Sequence, residues 1–418
     1  MVPCSDVPTR EVQRIASAVI LSMTLSAAGC GNDAASELYP EAAGPYADLV
    51  LEATIGEDQT GADYEFAAIV NILRNSDGMI WVADGGDASG LGGARAMLRQ
   101  FDAEGTYVRQ VGRDGAGPGE YRAPNGLAEI PDGRVALRDY SLPDRITFYT
   151  AEGALDTVWT LETRLTYGHG ARDPIQVDTA GFLWLPFRGR PGPNAPPTRF
   201  LRLSPEGSVL DTIPLPAVPE VERDILRHVT NGGRSVRGFA VPYQPHGSWA
   251  WSPAGRFAVA RTDRYRIEVL PPPRAADGAD ARDAEPARVF TRNIPPIPVP
   301  EAEQDAARQR LEEDIASVEG AGGLRIPPMR TQKPPLRSIR FPADGRLLAT
   351  VSMPSRLVDE EWTEPIAYDV FEPDGAFRAR VLLPEGFRMS GMRGDHLFGI
   401  FTGEFGVQSI RVYRIDWP

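Results

Sequence analysis

The 418-residue sequence has few cysteine, histidine and lysine residues, on which many recognisable active sites depend. It contains two cysteines, four histidines and a single lysine, Lys333, and its formal net charge is −13 at pH 7. Nucleic-acid-binding proteins usually carry a basic patch or stripe, so this acidic chain is not expected to bind nucleic acid. A zinc site usually needs three or four ligands, and no His-x-His or Cys pair supplies them.

Motifs for phosphate binding, nucleophilic catalysis and calcium binding are also absent. The glycine-rich stretch GPGEYRAPNG, residues 117–126, is not followed by a helix, whereas a phosphate loop opens one. The segment GGRSVRG around Ser235 is one residue too long for a G-x-S-x-G nucleophile elbow. The acidic stretch DGADARDAE lacks the D-x-D-x-D-G spacing of a calcium loop. No catalytic constellation is recognisable, and we therefore expect a protein that is not an enzyme.

The apolar stretch from Ile15 to Ala28 is too short to span a bilayer as a helix, but it has the length of a signal-peptide core. It ends in AAGC, which resembles the lipobox of a bacterial lipoprotein signal. The resemblance implies a signal peptide over residues 1–30 and a lipid on Cys30, anchoring the protein in the bacterial cell envelope, facing the periplasm or on the cell surface. An ordinary secretory signal is the alternative. Residues 31–47 are small, polar and acidic, and are predicted to form a flexible tether.

Glycine and proline, by contrast, are abundant and are spaced as turns. A turn of the form Asp–Gly or Ala–Gly recurs between apolar strand-like runs, at Gly78, Gly133, Gly181, Gly255 and Gly345, with a degenerate copy near Gly394. Most copies are followed by a second hairpin, with its turn at Gly105, Gly153, Gly207 or Gly375. Two hairpins make a four-stranded meander, and a radial repeat of such meanders is a β-propeller.

The sequence therefore predicts an all-β fold over residues 48–418, a six-bladed β-propeller of four-stranded antiparallel blades. The N-terminal strand DLVLEATIG is predicted to complete the last blade and to close the ring. The segments GPGEY, PDG and DRITFY resemble those of NHL-repeat and TolB-like propellers. A seven- or eight-bladed ring with cryptic blades is the alternative.

Three insertions interrupt the repeat. Residues 188–198 and 271–287 form Pro- and Ala-rich loops, and residues 299–320 have the pattern of a helix. Its residues Ala307, Leu311, Ile315 and Val318 fall on one face, which is expected to pack across one face of the ring.

Candidate binding residues lie in the segments that lead into the innermost strands, since these segments converge at one mouth of a propeller channel. The segments APNG, GHGARDP, QPHGS and KPPLRS contribute the polar and largely cationic residues Asn125, His169, Arg172, His246 and Arg337. We predict that this group binds an anionic or hydroxyl-rich ligand. For each histidine, the alternative is a hydrogen bond within its own loop.

Two hypotheses for the function follow. The first is a non-enzymatic, lipid-anchored binding or scaffold protein, a monomer without cofactor, which holds an envelope protein, peptide or glycan on the propeller face. The second is a metal-dependent hydrolase or lyase at the channel mouth, similar to the calcium-dependent lactonases and gluconolactonases. In that family the metal is held in the channel by Glu, Asn and Asp side chains. Asn125 lies at a comparable level here, and the carboxylates of Asp84, Asp139 and Asp178 lie near strand ends, although the family's motif residues do not align with this sequence. This second hypothesis predicts a bound divalent ion such as Ca²⁺. It rests on fold analogy alone.

Overall fold

The computed structural model of the chain describes most residues from Gly44 onward. The described ranges are 44–86, 95–139, 145–161, 175–187, 199–204, 206–218, 220–230, 235–273, 286 and 288–418. The predicted signal peptide with Cys30, most of the predicted tether, His169 and Arg172 lie outside these ranges.

Strand β1, Tyr46–Ile55, is followed along the chain by four antiparallel sheets, A to D, each of four consecutive strands. Sheet A contains β2 to β5, which are Ile69–Arg74, Ile80–Asp84, Met97–Phe101 and Tyr107–Val111. The short strands β6 and β7, Arg113–Asp114 and Glu120–Tyr121, lead to sheet B. Sheet B contains β8 to β11, which are Pro124–Glu129, Val135–Asp139, Arg145–Tyr149 and Leu155–Thr160.

Sheet C contains β12 to β15, which are Gln176–Val177, Leu183–Phe187, Arg199–Leu203 and Val209–Pro214. A separate hairpin, β16–β17, then spans Ile225–Thr230 and Ser235–Ala240. Sheet D contains β18 to β21, which are Gly247–Ser252, Arg256–Arg261, Arg266–Val269 and Arg288–Thr291. Strand β22, Ile297–Pro298, helix α1, Glu301–Ala316, and strand β23, Gln332–Lys333, follow.

The last strands form an eight-stranded sheet in which β1 takes part. We call its first half sheet E, with β24, β25, β28 and β29 at Leu336–Arg340, Leu347–Val351, Ala367–Phe371 and Phe377–Leu382. A small hairpin, β26–β27, at Arg356–Val358 and Glu361–Thr363, projects between β25 and β28. Sheet F is the second half, with β30, β31 and β32 at Phe387–Arg393, His396–Thr402 and Gln408–Asp416, and β1 as its fourth strand.

Strand β1 joins the two ends of the chain. It pairs antiparallel with β32, from Asp48 opposite Asp416 to Ile55 opposite Ile410. It begins at Tyr46, two residues before the predicted boundary, because Tyr46 and the buried Ala47 also pair in parallel with β29. The N-terminus therefore supplies the fourth strand of the last sheet.

The apolar core is divided among the spaces between successive sheets. One cluster lies between A and B, and others between B and C, C and D, D and E, and E and F. A further cluster, with Ile80 of sheet A and Ile55 and Phe398 of sheet F, lies between the last sheet and the first. Trp81, Trp184 and Trp251 are buried in these clusters. Each sheet is thus buried by its neighbours along the chain.

All ten predicted glycine turns lie between paired strands, which confirms the hairpins read from the sequence. Gly207, between β14 and β15, shows why this position needs glycine. Its φ is +88°, and a β-carbon would lie 2.7 Å from the ring of Trp159 in sheet B. Another residue would be strained and would also clash.

The two ends of the sheets differ in what they carry. The turns between first and second strands, and between third and fourth strands, lie at one end, which we call the turn face. The connections between second and third strands, and between sheets, lie at the other end, which we call the connection face. Helix α1 and both small hairpins belong to the connection face.

Helix α1 lies within the segment 299–320 and buries Ala307, Leu311 and Ile315. Leu311 and Ile315 share a cluster with Phe239 and Val241, in and just after the hairpin β16–β17. The hairpin β16–β17, which the sequence analysis did not assign, therefore covers part of the apolar stripe of α1. In the described part of the chain no helix has the length and hydropathy needed to cross a membrane.

Candidate functional site

A cleft of about 310 Å³ opens on the connection face between sheets D and E. Its walls come from the segments before β18, between β19 and β20, after β21 and before β24. Its polar and aromatic lining residues are Tyr243, Asp263, Arg264, Tyr265, Arg292, Asn293, Arg330, Gln332 and Lys333. Four prolines also line it, namely Pro245, Pro296, Pro334 and Pro335. The volume is at the lower end of the range for small-ligand sites.

Lys333 is buried in one wall of the cleft. Its Nζ donates to Glu364 Oε2 at 2.9 Å, to Ser355 Oγ at 2.5 Å and to the carbonyl oxygen of Met353 at 3.1 Å. It also forms an ion pair with Glu303 Oε1 at 3.2 Å. Glu303 belongs to the first turn of α1, so this lysine fastens the inserted helix to sheet E.

Glu303 is buried, with 2% of its surface exposed. Its Oε1 accepts hydrogen bonds from the Tyr243 hydroxyl at 2.9 Å and from Ser355 Oγ at 2.8 Å. Its Oε2 is buried without a hydrogen-bond partner among the described residues. We call Tyr243, Glu303, Lys333, Ser355 and Glu364 the lysine network. Burying a carboxylate with one unsatisfied oxygen costs free energy. The ion pair with Lys333 and the hydrogen bonds to the other oxygen offset part of that cost.

Tyr243 has a left-handed backbone, with φ of +59°. This conformation is rare for a residue with a bulky side chain and costs of order 1 to 3 kcal/mol. Burial, followed by the hydrogen bond to Glu303, raises the pKa of the Tyr243 hydroxyl well above its ordinary value, so this hydroxyl stays protonated as a donor. The lysine network thus fixes a strained tyrosine on the cleft wall.

A second buried group supports two further lining residues of the cleft. Asp369 in β28 is fully buried and binds Arg292 at 2.6 Å, Tyr265 at 2.8 Å and Arg380 at 2.6 Å. Burial, and then the charge of Asp369, raises the pKa of Tyr265 well above its ordinary value. Arg292 and Tyr265 line the cleft, and Asp369 balances the charge of the arginine.

Two other arginines of the cleft are less engaged. The side chain of Arg264 is 69% exposed, and its Nε lies 4.0 Å from Asp263 Oδ2, an oxygen that Arg261 already binds at 2.7 Å. That hydrogen bond from Arg261 lowers the pKa of Asp263. Arg330 is exposed, and its Nε donates to Gln244 Oε1 at 3.0 Å. The cleft therefore presents positive charge on an acidic protein.

The structure places the predicted site residues in different sheets. Asn125 lies in β8 and Arg337 in β24, inside the strands and not in the segments before them. Each is the extra residue of a β-bulge, which explains why the strand starts earlier than predicted. His246 precedes β18, and its backbone N–H donates to Thr262 Oγ1 at 2.7 Å. Within the described ranges no hydrogen bond or ion pair joins Asn125, His246 and Arg337.

Two of these residues nevertheless lie beside the cleft. His246 follows Pro245 of the lining, and Arg337 lies 3.5 Å from Glu364 Oε1 of the lysine network. The residues that the sequence analysis missed are Tyr243, Glu303 and Lys333. The single lysine of an otherwise arginine-only chain was the available signal, whereas Glu303 resembles an ordinary acidic residue at a helix start.

The carboxylates considered for a calcium site have structural partners. Asp84 accepts the backbone N–H groups of Ala67 and Ala68 at 3.0 and 2.9 Å, and Asp139 accepts those of Arg122 and Ala123 at 3.3 and 3.0 Å. Each therefore holds the segment that enters its sheet. Asp178 accepts the indole N–H of Trp184 at 2.9 Å. No group of three or more His, Cys, Asp or Glu side chains that could hold a metal is found within the described ranges.

No protein-family model matches the sequence, and no curated protein matches it significantly. Solved structures are similar in fold. A member of the DUF4221 family from Bacteroides vulgatus has a TM-score of 0.50 at 12% identity, over 90% of this chain and 99% of that chain. The PQQ-bound aldose sugar dehydrogenase of Streptomyces coelicolor has a TM-score of 0.40 at 16% identity, over 90% and 100%. The calcium-binding protein regucalcin of Agrobacterium tumefaciens has a TM-score of 0.35 at 13% identity, over 88% and 95%.

At this level of identity the likeness concerns the fold and carries no activity over to this chain. Four-stranded antiparallel sheets, each packed on the next along the chain, are the architecture of propellers. With the match to the Bacteroides vulgatus structure, they show that the chain folds as a β-propeller.

Proposed function

We propose that the protein is a non-enzymatic, lipid-anchored binding protein of the bacterial cell envelope, whose ligand site is the cleft between sheets D and E. The observation that carries this proposal is the lysine network, which buries charge and holds a strained tyrosine at the cleft wall. Backbone strain and buried ionic groups are costly, and they are concentrated where a surface must be held rigid for a ligand.

The distribution of insertions supports the same face. Helix α1 and both small hairpins extend from the connection face, where the cleft opens. Binding residues in many folds sit on loops that a rigid scaffold positions. Of the residues predicted from sequence, Asn125, His246 and Arg337 belong to connections or strand starts of this face, and we propose them as its rim. We propose His169 and Arg172, which lie outside the described ranges, as further members of this rim.

For the architecture, we propose that sheets A to F are the six blades of a closed ring of the NHL-repeat or TolB-like kind. The pairing of β1 with β32 and the shared core of sheets F and A support closure. For the N-terminus, we propose that Cys30 carries the lipid and that the following residues tether a monomeric propeller to the membrane. The ligand would be an envelope protein, peptide or glycan.

An array of immobilised glycans and peptides tests this function. The full-length chain, expressed in a bacterial host, is applied as wild type, as Tyr243→Ala and as Arg266→Gln. We expect at least one bound ligand that Tyr243→Ala loses and Arg266→Gln keeps, because Tyr243 lines the cleft whereas Arg266 pairs with Glu268 outside it.

The calcium-dependent hydrolase makes the opposite prediction. Turnover of an ester or lactone that is abolished by Asn125→Ala, together with thermal stabilisation by Ca²⁺, would contradict the binding proposal. A ligand at about one hundred times its Kd stabilises the folded state by about 2.7 kcal/mol, which a thermal scan detects.

A further inference from the structure

Some basic side chains of the cleft are paired with a carboxylate, and others are not. Lys333 is paired with Glu303 and Glu364, and Arg292 is paired with Asp369. The one lining carboxylate, Asp263, is bound by Arg261. Arg264 and Arg330 remain, and among the described residues neither guanidinium group has a carboxylate of its own closer than 4.0 Å.

Two arginines that open onto one cleft are suited to a carboxylate. The guanidinium group offers paired N–H donors whose geometry matches the two oxygens of a carboxylate, and such charge-assisted hydrogen bonds are about twice as strong as neutral ones. Lining amide groups of Asn293 and Gln332 add donors and acceptors of the kind that bind hydroxyl groups.

The cleft is poorly suited to an extended peptide. Peptides that add to a protein surface are commonly held by backbone hydrogen bonds. Four of the lining residues are proline, which has no backbone N–H. Recognition must therefore come from side chains, while the rigid proline rings and the ring of Tyr243 offer flat apolar surface. A sugar ring, with its hydroxyl edges and C–H faces, has the complementary chemistry.

We propose that the ligand of this cleft is a sugar that bears a carboxylate, held by Arg264 and Arg330 and packed against Tyr243. This inference rests on the binding function proposed above and adds the class of ligand to it. Tyr243 is the one member of the lysine network that contacts the sugar in this proposal, and the two glutamates of the network keep Lys333 from competing for the carboxylate.

Isothermal titration of the full-length chain with D-galacturonate and its short oligomers tests the inference, with D-galactose and its oligomers as neutral probes. We expect the acidic probes to bind and the neutral probes to bind at least tenfold more weakly. Arg264→Gln and Arg330→Gln should each weaken binding of the acidic probe about tenfold or more, since hydrogen bonds to charged groups are that strong. Binding should also weaken as salt is raised.

Arg266→Gln is the matched control, because Arg266 lies two residues from Arg264 and pairs with Glu268 outside the cleft. Its affinity should equal that of wild type. If acidic and neutral sugars bind equally well, or if both cleft variants bind as wild type does, the proposed recognition of a carboxylate is wrong. The proposal that the cleft binds a ligand would still stand. If the protein binds peptides but not sugars, and Tyr243→Ala loses that binding, the sugar is wrong as the class of ligand. The proposed binding function at the cleft would still stand. If no glycan or peptide binds, both proposals fail.

Discussion

At the residue scale, the buried lysine shows how one side chain fastens an insertion to the sheets. Lys333 contacts groups from α1 and from both sides of the small hairpin β26–β27. Its compact ammonium group donates in three directions, which the flat guanidinium group of arginine cannot reproduce in the same space. This difference gives a physical reason why the chain has its single lysine at this position, where an arginine would not fit the same contacts.

Replacing Lys333 with alanine should destabilise the protein strongly. The change leaves Glu303 buried without its cation, and removal of one partner from a buried ion pair costs about 3 to 5 kcal/mol. Urea unfolding followed by tryptophan fluorescence measures the loss. Arg337→Gln is the control, because Arg337 is about half exposed and lies 3.5 Å from the same Glu364. A loss below about 1 kcal/mol in Lys333→Ala would contradict the role given to the network.

Tyr121 should make stability depend on alkaline pH. Its buried hydroxyl donates to Val111 and accepts from Leu98, and burial raises the pKa of Tyr121 from 10.0 to about 12. Because the folded pKa is the higher one, its contribution is complete below pH 10 and is lost as the pH rises from 10 to about 12. The expected loss is on the order of 3 kcal/mol, since one pKa unit corresponds to about 1.4 kcal/mol.

The measurement compares urea unfolding of wild type and Tyr121→Phe between pH 8 and pH 12. The variant is less stable at pH 8, since it lacks the hydroxyl, but its stability should fall less steeply above pH 10. Parallel pH profiles for the two proteins would show that this hydroxyl does not titrate as argued.

At the scale of single elements, the first strands of four of the six sheets share one irregularity. The pairing of the first strand with the second shifts at Val70, Asn125, Arg337 and Ser390 in sheets A, B, E and F. A β-bulge turns one side chain away from the regular alternation and bends the strand. Asn125 and Arg337, selected from sequence in separate repeats, therefore occupy equivalent positions.

The glycine turns allow a paired test of contacts between sheets. Gly207 and Gly133 have the same φ of +88°, but a β-carbon at Gly207 would meet the Trp159 ring whereas one at Gly133 has open space around it. Gly133→Ala should cost about 1 to 2 kcal/mol from backbone strain alone. Gly207→Ala should cost about 1 to 3 kcal/mol more, because the tryptophan must move. Chemical unfolding of both variants measures the difference, and equal losses would argue against the contact of sheet C with sheet B.

At the scale of the whole molecule, β1 lies where the two chain ends meet. It starts at the turn face, beside the turn between β30 and β31, where Ile415 donates to the carbonyl oxygen of Asp395 at 2.7 Å. Strand β1 therefore enters its sheet from the turn face, whereas the cleft and its arginines lie on the opposite, connection face.

Removal of β1 should destabilise the whole propeller if the ring is closed as proposed. A chain that starts at residue 58 lacks the strand that pairs with β32, and it exposes the buried core of sheets F and A. We expect a lower unfolding midpoint in urea or a loss of the single cooperative transition. A chain that starts at Gly44 is the control and should unfold as the full-length protein does. Equal midpoints for both chains would contradict closure by β1.

The sequence by itself determined the strand hairpins, their glycine turns and the helical segment, because each depends on residues that are neighbours along the chain. It also indicated the connections as the place for a site, although Asn125, His246 and Arg337 are not joined to one another in the described ranges. These local patterns repeat along the chain, so each can be recognised in the sequence without knowing which distant residues it packs against.

Only the tertiary structure revealed the cleft. Tyr243 and Glu303 are 60 positions apart, and Lys333 and Glu364 are 31 positions apart, yet all four meet in one buried network. Nothing in their local sequence marks them, because their roles come from burial beside opposite charge. The hairpin β16–β17 and helix α1 likewise need each other to bury their apolar sides. Residues that are distant in the sequence are buried together, and such contacts leave no local sequence pattern. They determine where this propeller buries its charged side chains.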